Sequence, residues 1–336
     1  MKLTNTDPAL RKGWHALCRS AEVSDRPRAF TLLNEPYVVW RSPSGELRVF
    51  LDRCPHRLAP LSLGQCEGEN LRCGYHGWVF DATGRCVEIP ALGPDATLPP
   101  TARLSGPFAI HESHGMVFVA PEEPRTAPPS IAAAADDSFL RGDLPVMTTR
   151  ASAGLLADNF LDMAHFPFVH VGTFGAGEER TVPSYSVERQ GFTFSAAYEH
   201  LFANREDPGV AAGIRPLLQR RRLTYRYHAP FHLELAIDFL DAGGSNVIGF
   251  FLTPETNETV RVYSSLWRND LEGSRERMDD AVAFEVAVID EDLVVQSRYA
   301  ELVLPLDITD EVHTRADRTT VELRRILRDF VTSADD

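Results

Sequence analysis

The 336-residue chain has no apolar run approaching the length, about 20 residues, that a membrane-spanning helix needs. Residues 1–8 also lack the apolar stretch of a signal peptide, so the sequence predicts neither membrane insertion nor export. Basic residues are in the minority, since 34 Lys and Arg stand against 48 Asp and Glu. The resulting net charge of -14 argues against nucleic acid as a partner.

Cysteine is scarce as well, with five residues in the whole chain. In a sequence without an export signal, this predicts reduced thiols and a cytoplasmic location. We expect Cys18, Cys66 and Cys86 to be small buried hydrophobic residues. The sequence also lacks a GxGxxG fingerprint or a recognisable flavin site, so any nicotinamide chemistry would belong to a separate protein.

The other two cysteines stand in two short motifs, Cys54-Pro-His56 and Cys73-Gly-Tyr-His76, with sixteen residues between them. Two thiolates on one iron and two imidazoles on the other are the ligands of a Rieske-type [2Fe–2S] cluster, a one-electron relay. Mixed Cys and His ligands also suit zinc, which is the alternative. Gly74 and Gly77 permit tight loops, and Tyr75 and Trp78 add apolar shielding; these features favour iron–sulfur.

The chain changes character along its length. Up to about residue 120 it shows short β-type runs (31–33, 37–41, 47–51 and 117–119) separated by the turn sequences 42–45 and 81–84. Further strand-like runs (193–199, 223–227, 232–239, 247–252 and 260–267) follow a helical pattern over 155–165, and residues 208–216 read as a long loop. The last sixty residues predict amphipathic helices. The fold class is therefore α+β: an all-β domain over 1–125, a Pro- and Ala-rich linker over 126–145, and an antiparallel sheet with packed helices over 146–336.

A second candidate metal site lies in residues 158–170. A helix would put Asp162 and His165 on one face, and a break at Pro167 would bring His170 close to them. Two histidines and one carboxylate form the facial triad of non-haem Fe(II) oxygenases. The alternative is a helix whose polar side chains hydrogen-bond to one another.

Taken together, residues 54–84 closely resemble the Rieske domain of bacterial ring-hydroxylating and demethylating oxygenases. The order Asn159, Asp162, His165, His170 is most similar to the vanillate and dicamba O-demethylase branch. Respiratory Rieske proteins carry an additional cysteine beside each ligand loop, which Leu58 and its neighbours do not supply.

This resemblance implies a cluster domain followed by a helix-grip catalytic domain, with one [2Fe–2S] cluster and one mononuclear Fe(II) per chain. The implied iron ligands are His165, His170 and a C-terminal aspartate. Asp292 fits the family's Glu-Asp-x-x-(Val/Ile) element best, with Asp290 and Glu291 as alternatives.

Two more site residues follow from the resemblance. Asp162 would be a catalytic bridge between the iron site and a cluster histidine of a neighbouring subunit. Asn159 would face the iron, coordinating it weakly or orienting oxygen, and the alternative for it is an ordinary hydrogen-bonded amide.

The implied reaction uses O2 and electrons from a separate NAD(P)H-dependent reductase, with or without a ferredoxin, in a homotrimer. It is oxidative O- or N-demethylation of a small aromatic or apolar substrate, and ring hydroxylation or dihydroxylation is the alternative. We expect apolar sheet residues and the segment 202–218 to line the pocket. A hypothesis from another class is an electron carrier fused to a ligand-binding domain with a degenerate iron site.

Overall fold

The computed structural model describes residues 1–175, 180–204 and 207–333. The strands in chain order are β1 (Lys2–Leu3), β2 (His15–Arg19), β3 (Arg28–Leu32), β4 (Glu35–Arg41), β5 (Leu47–Leu51), β6 (Gln65–Glu67), β7 (Asn70–Arg72), β8 (Val79–Phe80), β9 (Cys86–Glu88), β10 (Ala109–Ser113), β11 (Met116–Ala120), β12 (Leu140–Asp143), β13 (Met147–Arg150), β14 (Ser186–Gln190), β15 (Thr193–Ala203), β16 (Leu218–His228), β17 (His232–Phe239), β18 (Ser245–Pro254), β19 (Thr259–Arg268) and β20 (Leu304–Pro305). The α-helices are α1 (Ala153–Leu161), α2 (Phe166–Val169), α3 (Pro208–Ala211), α4 (Arg275–Gln296) and α5 (Arg318–Thr332).

Residues 11–128 form one unit, built from three antiparallel sheets. Their strand orders are β10-β11-β2, β3-β4-β5 and β6-β7-β8-β9. Both turns expected from the sequence are present. Gly45 donates its N–H to the carbonyl of Ser42 at 2.8 Å between β4 and β5, and Gly84 does the same to Asp81 at 2.9 Å between β8 and β9. The first domain is all-β, as predicted.

The second unit consists of residues 1–10 and 129–336, of which the described part is dominated by one large antiparallel sheet. The order is β12-β19-β18-β17-β16-β15-β14, and β13 also pairs with β19. Alternation explains how one face of this sheet is buried. Along β16, Gln219, Arg221, Leu223, Tyr225 and Tyr227 are buried, and the residues between them are more exposed.

Helices cover the sheet. On α5, Leu323, Ile326, Leu327 and Phe330 are all buried, which is the spacing of one helix face. Arg324 on the same helix is buried and reaches the half-buried Asp158 of α1 at 3.0 Å, so an ion pair holds the two helices together. The long helix α4 packs on β12, which gives the helix-grip arrangement and confirms the α+β class.

The boundaries of the units differ from those expected from composition. Residues 1–10 group with the second unit because β1 pairs with β20 and the Asn5 side chain accepts a hydrogen bond from the N–H of Ala153 at 2.8 Å. The expected linker 126–145 contains β12, which pairs with β19. The expected loop 208–216 begins with α3, whose helical turn follows the Asp207 cap.

No helix among the described residues is long and apolar enough to cross a membrane.

Candidate functional site

The first site lies on two loops of the β-unit. Cys54 and His56 follow β5, and Cys73 and His76 lie between β7 and β8. Each loop is closed by its own backbone. The N–H of Leu58 bonds to the carbonyl of Cys54 at 2.9 Å, and the N–H of Gly77 to that of Cys73 at 3.1 Å. Gly77 has φ +71°, which explains why glycine stands there.

The four side chains of these loops converge. Cys54 and Cys73 are both 2% exposed and belong to one core cluster, and the rings of His56 and His76 lie 4.5 Å apart between centroids. Nδ1 of His56 is buried without a hydrogen-bond partner among the described residues. A buried ring nitrogen without a partner among the described residues and two buried sulfurs, all on these two loops, are the donor types that a cluster satisfies.

Aromatic side chains enclose this donor set. Trp78 stacks on His56 with centroids 4.6 Å apart and planes 9° from parallel, and Tyr75 lies 3.9 Å from His76. Burial raises the pKa of the Cys54 thiol, so its ionisation depends on a bound cation. His76 and Tyr75 stay at the surface, which leaves one edge of the site accessible.

The second site lies in the helix-grip unit around α2. His165 precedes this one-turn helix and His170 follows it, so both imidazoles point to one place. Their Nε2 atoms are 3.1 Å apart, and each lies 3.5 Å from Oδ1 of Asp292 on α4. Two nitrogen ligands at right angles around a first-row metal are about 3 Å apart, so the geometry fits a single ion. The three residues form the one such group found among the described residues.

The helix expected over 155–165 ends earlier. α1 stops at Leu161, Asp162 is its extended C-cap, and His165 begins the next turn. Asp162 and His165 therefore do not share a helix face, yet Asp162 Oδ2 still lies 3.3 Å from His165 Nδ1 because the chain folds back between them. The side chain of Asp162 also accepts a bond from the N–H of Ala164 at 2.8 Å, which fixes that fold.

Carboxylates orient both imidazoles from behind. Asp162 binds Nδ1 of His165, and Glu291 Oε2 lies 3.0 Å from Nδ1 of His170. Thr173 donates its hydroxyl to the same Glu291 oxygen at 2.8 Å. With both Nδ1 atoms bonded outward, both Nε2 lone pairs face Asp292, as metal ligation requires.

The three acidic residues considered for the third ligand position are now distinguished by location. Asp292 lies between the imidazoles and accepts a bond from Nδ2 of Asn159 at 3.2 Å. Glu291 lies behind His170, and Asp290 is exposed to solvent. A Cβ on Gly172 would lie 2.5 Å from Glu291 Oε1, so glycine there leaves room for this carboxylate.

The electrostatic environment of His165, His170 and Asp292 favours a bound cation. Burial lowers the pKa of His165, but its bonds to Asp162 and Asp292 outweigh that effect and raise the pKa to about 9. The pKa of Asp162 is lowered, because its bond to His165 outweighs the opposing effect of burial. Positive charge between the histidines is thus favoured.

A cavity of about 310 Å³ opens beside these residues. Aromatic and aliphatic side chains of α1, α2, α4 and the sheet supply most of its wall, including Phe160, Phe166, Phe250, Ile248 and Val288. The expectation of apolar sheet residues is met, and Phe202, Ala203 and Asn204 represent the segment 202–218. Residues 205–206 of that segment lie outside the described residues.

Sequence reasoning missed several residues of this site. It treated Glu291 only as a rival ligand, and it did not single out Thr173, Tyr225 or Asn246, all three of which belong to the cavity wall. Tyr225 and Asn246 stand on strands that only the sheet register brings together, so no local signal marks them.

Comparison with known proteins identifies the class. Residues 13–102 match the model of the Rieske [2Fe-2S] domain, and residues 149–333 match that of the vanillate O-demethylase oxygenase C-terminal domain. The chain belongs to this oxygenase family. It is a Rieske-type oxygenase component that uses a [2Fe–2S] cluster, a mononuclear iron and O2 with partner components that supply electrons, which confirms the cofactors expected from the sequence.

Its relatives include demethylases. The chain is 29% identical over 335 residues to the methylxanthine N1-demethylase NdmA of Pseudomonas putida, covering 96% of this chain and 89% of the relative. It is 34% identical over 168 residues to the dicamba O-demethylase oxygenase component of Stenotrophomonas maltophilia, about half of each chain. A solved structure of a Pseudomonas putida NdmA mutant with theobromine superposes with a TM-score of 0.81 at 26% identity, covering 97% of this chain and 92% of that one.

Proposed function

We propose that the chain catalyses oxidative demethylation of a small, uncharged aromatic substrate at the site formed by His165, His170 and Asp292. One observation carries this proposal: these three ligand atoms converge at the wall of an apolar cavity of about 310 Å³. An apolar cavity with a few polar groups is suited to a drug-sized aromatic molecule. The demethylase relatives support the reaction type.

In this proposal the metals are divided between the two units. Cys54, His56, Cys73 and His76 hold the cluster, and His165, His170 and Asp292 hold the ferrous ion. When bound, these centres supply one-electron transfer and oxygen activation. The overall change is R–X–CH3 + O2 + 2 electrons + 2 protons to R–XH + CH2O + H2O, where X is oxygen or nitrogen. The hydroxymethyl product is a hemiacetal or aminal that loses formaldehyde.

The residues of the chain have three tasks in this reaction. Asp162 and Glu291 hold the imidazole rings with their Nε2 atoms inward. Asn159 restrains the Asp292 carboxylate through its 3.2 Å hydrogen bond. Phe160, Phe166 and Phe250 exclude water from the cavity beside the metal position.

We also propose a homotrimer in which Asp162 carries the connection between the iron site of one subunit and a cluster histidine of the next. Asp162 is partly exposed while holding His165, and His76 is exposed at the cluster site, so each has a free edge for a neighbouring chain. None of the five cysteines, all of which lie in the described part of the chain, forms a disulfide, and this supports a cytoplasmic location.

The reaction is tested with purified, iron-loaded protein, a surrogate ferredoxin and reductase, NADH, and a panel of methoxy- and N-methyl-substituted aromatic compounds. We expect equal amounts of NADH, O2 and formaldehyde to be turned over for at least one compound. Formation of a diol without formaldehyde would support ring dihydroxylation instead. A chain that holds two irons and no third would support an electron carrier, and it would overturn the proposal.

A further inference from the structure

The sheet wall of the cavity contains two buried polar groups, the hydroxyl of Tyr225 and the side-chain carbonyl of Asn246. The hydroxyl of Tyr225 and Oδ1 of Asn246 have no hydrogen-bond partner in the described part of the chain. Tyr225 is 0% exposed and Asn246 is 6% exposed, and both line the cavity. Buried polar groups are nearly always paired, so two unpaired atoms in one cavity wall indicate that a ligand pairs them.

The sheet register sets the relation between these two atoms. Tyr225 on β16 is opposite Leu235 of β17, and Asn246 on β18 is opposite Ile237 of the same strand. Their two strands are separated by β17, and their partners on β17 are two residues apart. This places the Cα atoms of Tyr225 and Asn246 about 12 Å from each other. Leu235, Ile237 and Ile248 supply the apolar wall around them. A flat ring with polar groups on its edges suits such a wall.

The two atoms require opposite partners. Burial raises the pKa of Tyr225 well above 10, so the phenol keeps its proton and can donate it to a hydrogen bond. A carbonyl oxygen such as Asn246 Oδ1 can only accept. The ligand must therefore present an acceptor to Tyr225 and a donor to Asn246.

The charged residues of the cavity do not favour a negatively charged ligand. Arg268 is bound through two nitrogens to Asp270, at 3.0 and 2.6 Å. Arg221 bonds to His200 at 2.6 Å and shares the cavity with Glu285. Each cation thus has an acidic residue either bound to it or in the same cavity.

We propose that Tyr225 and Asn246 select an uncharged aromatic substrate that carries both a carbonyl or ring-nitrogen acceptor and an N–H or O–H donor. This inference rests on the proposed function, because it names the substrate class of the same cavity. Tyr225 and Asn246 are specificity residues here, and the metal-binding residues are separate from them.

The test removes one partner at a time from ligand and protein. Binding of four probes to the anaerobic iron-loaded protein is measured by calorimetry: 4-methoxybenzamide, its N,N-dimethyl derivative without the N–H, 4-isopropenylanisole without N–H and carbonyl, and 4-methoxybenzoate. In the unmodified protein, we expect each lost group to weaken binding about tenfold. In the Asn246→Leu variant, a probe that lacks the N–H should bind as tightly as one that has it. In the Tyr225→Phe variant, a probe that lacks the carbonyl should bind as tightly as one that has it.

Tyr227→Phe is the matched control. Its buried hydroxyl donates to the carbonyl of Pro230 at 2.7 Å and does not line the cavity. This variant should lower the melting temperature and leave all four affinities unchanged. Tyr225→Phe should not lower the melting temperature of the ligand-free protein, because it removes no hydrogen bond within the described residues.

The inference is overturned if the penalties persist in the variants, if 4-methoxybenzoate binds more tightly than the benzamide, or if no probe binds. Failure of the proposed function looks different. In that case the probes bind with the expected pattern, but no formaldehyde is released when electrons and O2 are supplied.

Discussion

Glu291 accepts a hydrogen bond from Nδ1 of His170 at 3.0 Å while its neighbour Asp292 lies 3.5 Å from Nε2 of the same ring. Two consecutive residues of α4 thus contact opposite edges of one imidazole. Consecutive helical residues differ by about 100° in direction, so one carboxylate reaches behind the ring while the other faces the metal position.

Glu291→Ala should lower the iron affinity about 10- to 100-fold, because His170 loses the group that fixes its tautomer and orientation. Glu291→Gln keeps an acceptor oxygen, so it should lower the iron affinity less than Glu291→Ala does. Ferrous ion retention against a competing chelator measures both. Asp290→Ala, on the exposed side of the helix, is the control. Equal retention in Glu291→Ala and Asp290→Ala would show that Glu291 does not position the ligand.

Replacing a proposed ligand should remove one iron and leave the cluster intact. His165→Ala, His170→Ala and Asp292→Ala should each contain two irons per chain instead of three, with an unchanged visible spectrum, because the two donor sets belong to separate units. Iron and sulfide assays on the same sample measure this. Full iron content in Asp292→Ala would remove Asp292 from the ligand set.

The cluster ligands can be tested through the reduction potential. His76→Cys should lower the midpoint potential if the cluster assembles, because a thiolate donates more charge than an imidazole. Cys66→Ser is the control, since Cys66 lies on β6 outside both ligand loops, and it should keep the colour and the potential. A protein that binds only zinc after reconstitution with iron and sulfide would contradict the cluster assignment.

Asp162→Asn keeps the size of the side chain and removes its charge. We expect both metals to bind and the cluster to be reduced, while steady-state turnover falls by about 100-fold or more because the imidazole connection is weakened. Mixed trimers with His76→Ala subunits should regain activity, since a subunit without a cluster can use that of its neighbour. Inactive hybrids would contradict electron transfer between subunits. Full activity of Asp162→Asn alone would show that Asp162 has only a structural role.

His200 predicts a pH dependence of stability. Burial, followed by the positive charge of Arg221, lowers its pKa to about 3. Between this value and the unfolded value of about 6.5, the unfolded state binds the additional proton, so stability falls as the pH drops through 6.5. Its partial exposure limits the loss to about 1 kcal/mol between pH 7.5 and 5. His200→Gln should show a smaller drop in melting temperature over that range, and an unchanged drop would exclude His200 as its source.

The sequence predicted the parts of the sites that lie in short continuous segments. The ligand spacing of Cys54 to His76, and of His165 to His170, is local, and the chemistry restricts which residue types can stand there. The two-unit organisation and the α+β class followed from β-type runs and amphipathic spacing.

Features that depend on tertiary context were less accessible. One local feature was missed as well: α1 ends at Leu161, where the Asp162 side chain accepts a hydrogen bond from the N–H of Ala164, only two residues further on. The assignment of β12 to the sheet depends on pairing with β19, more than a hundred residues later. Composition alone made that segment look like a linker.

The source of the three proposed ligands has a consequence for folding. His165 and His170 come from one short segment, and Asp292 comes from a helix that begins more than a hundred residues later. An ion bound to all three would be a cross-link between distant parts of the chain and would favour the folded state by mass action. The supply of iron during synthesis would then determine how much of the protein folds stably and accumulates, as well as how much of it is active.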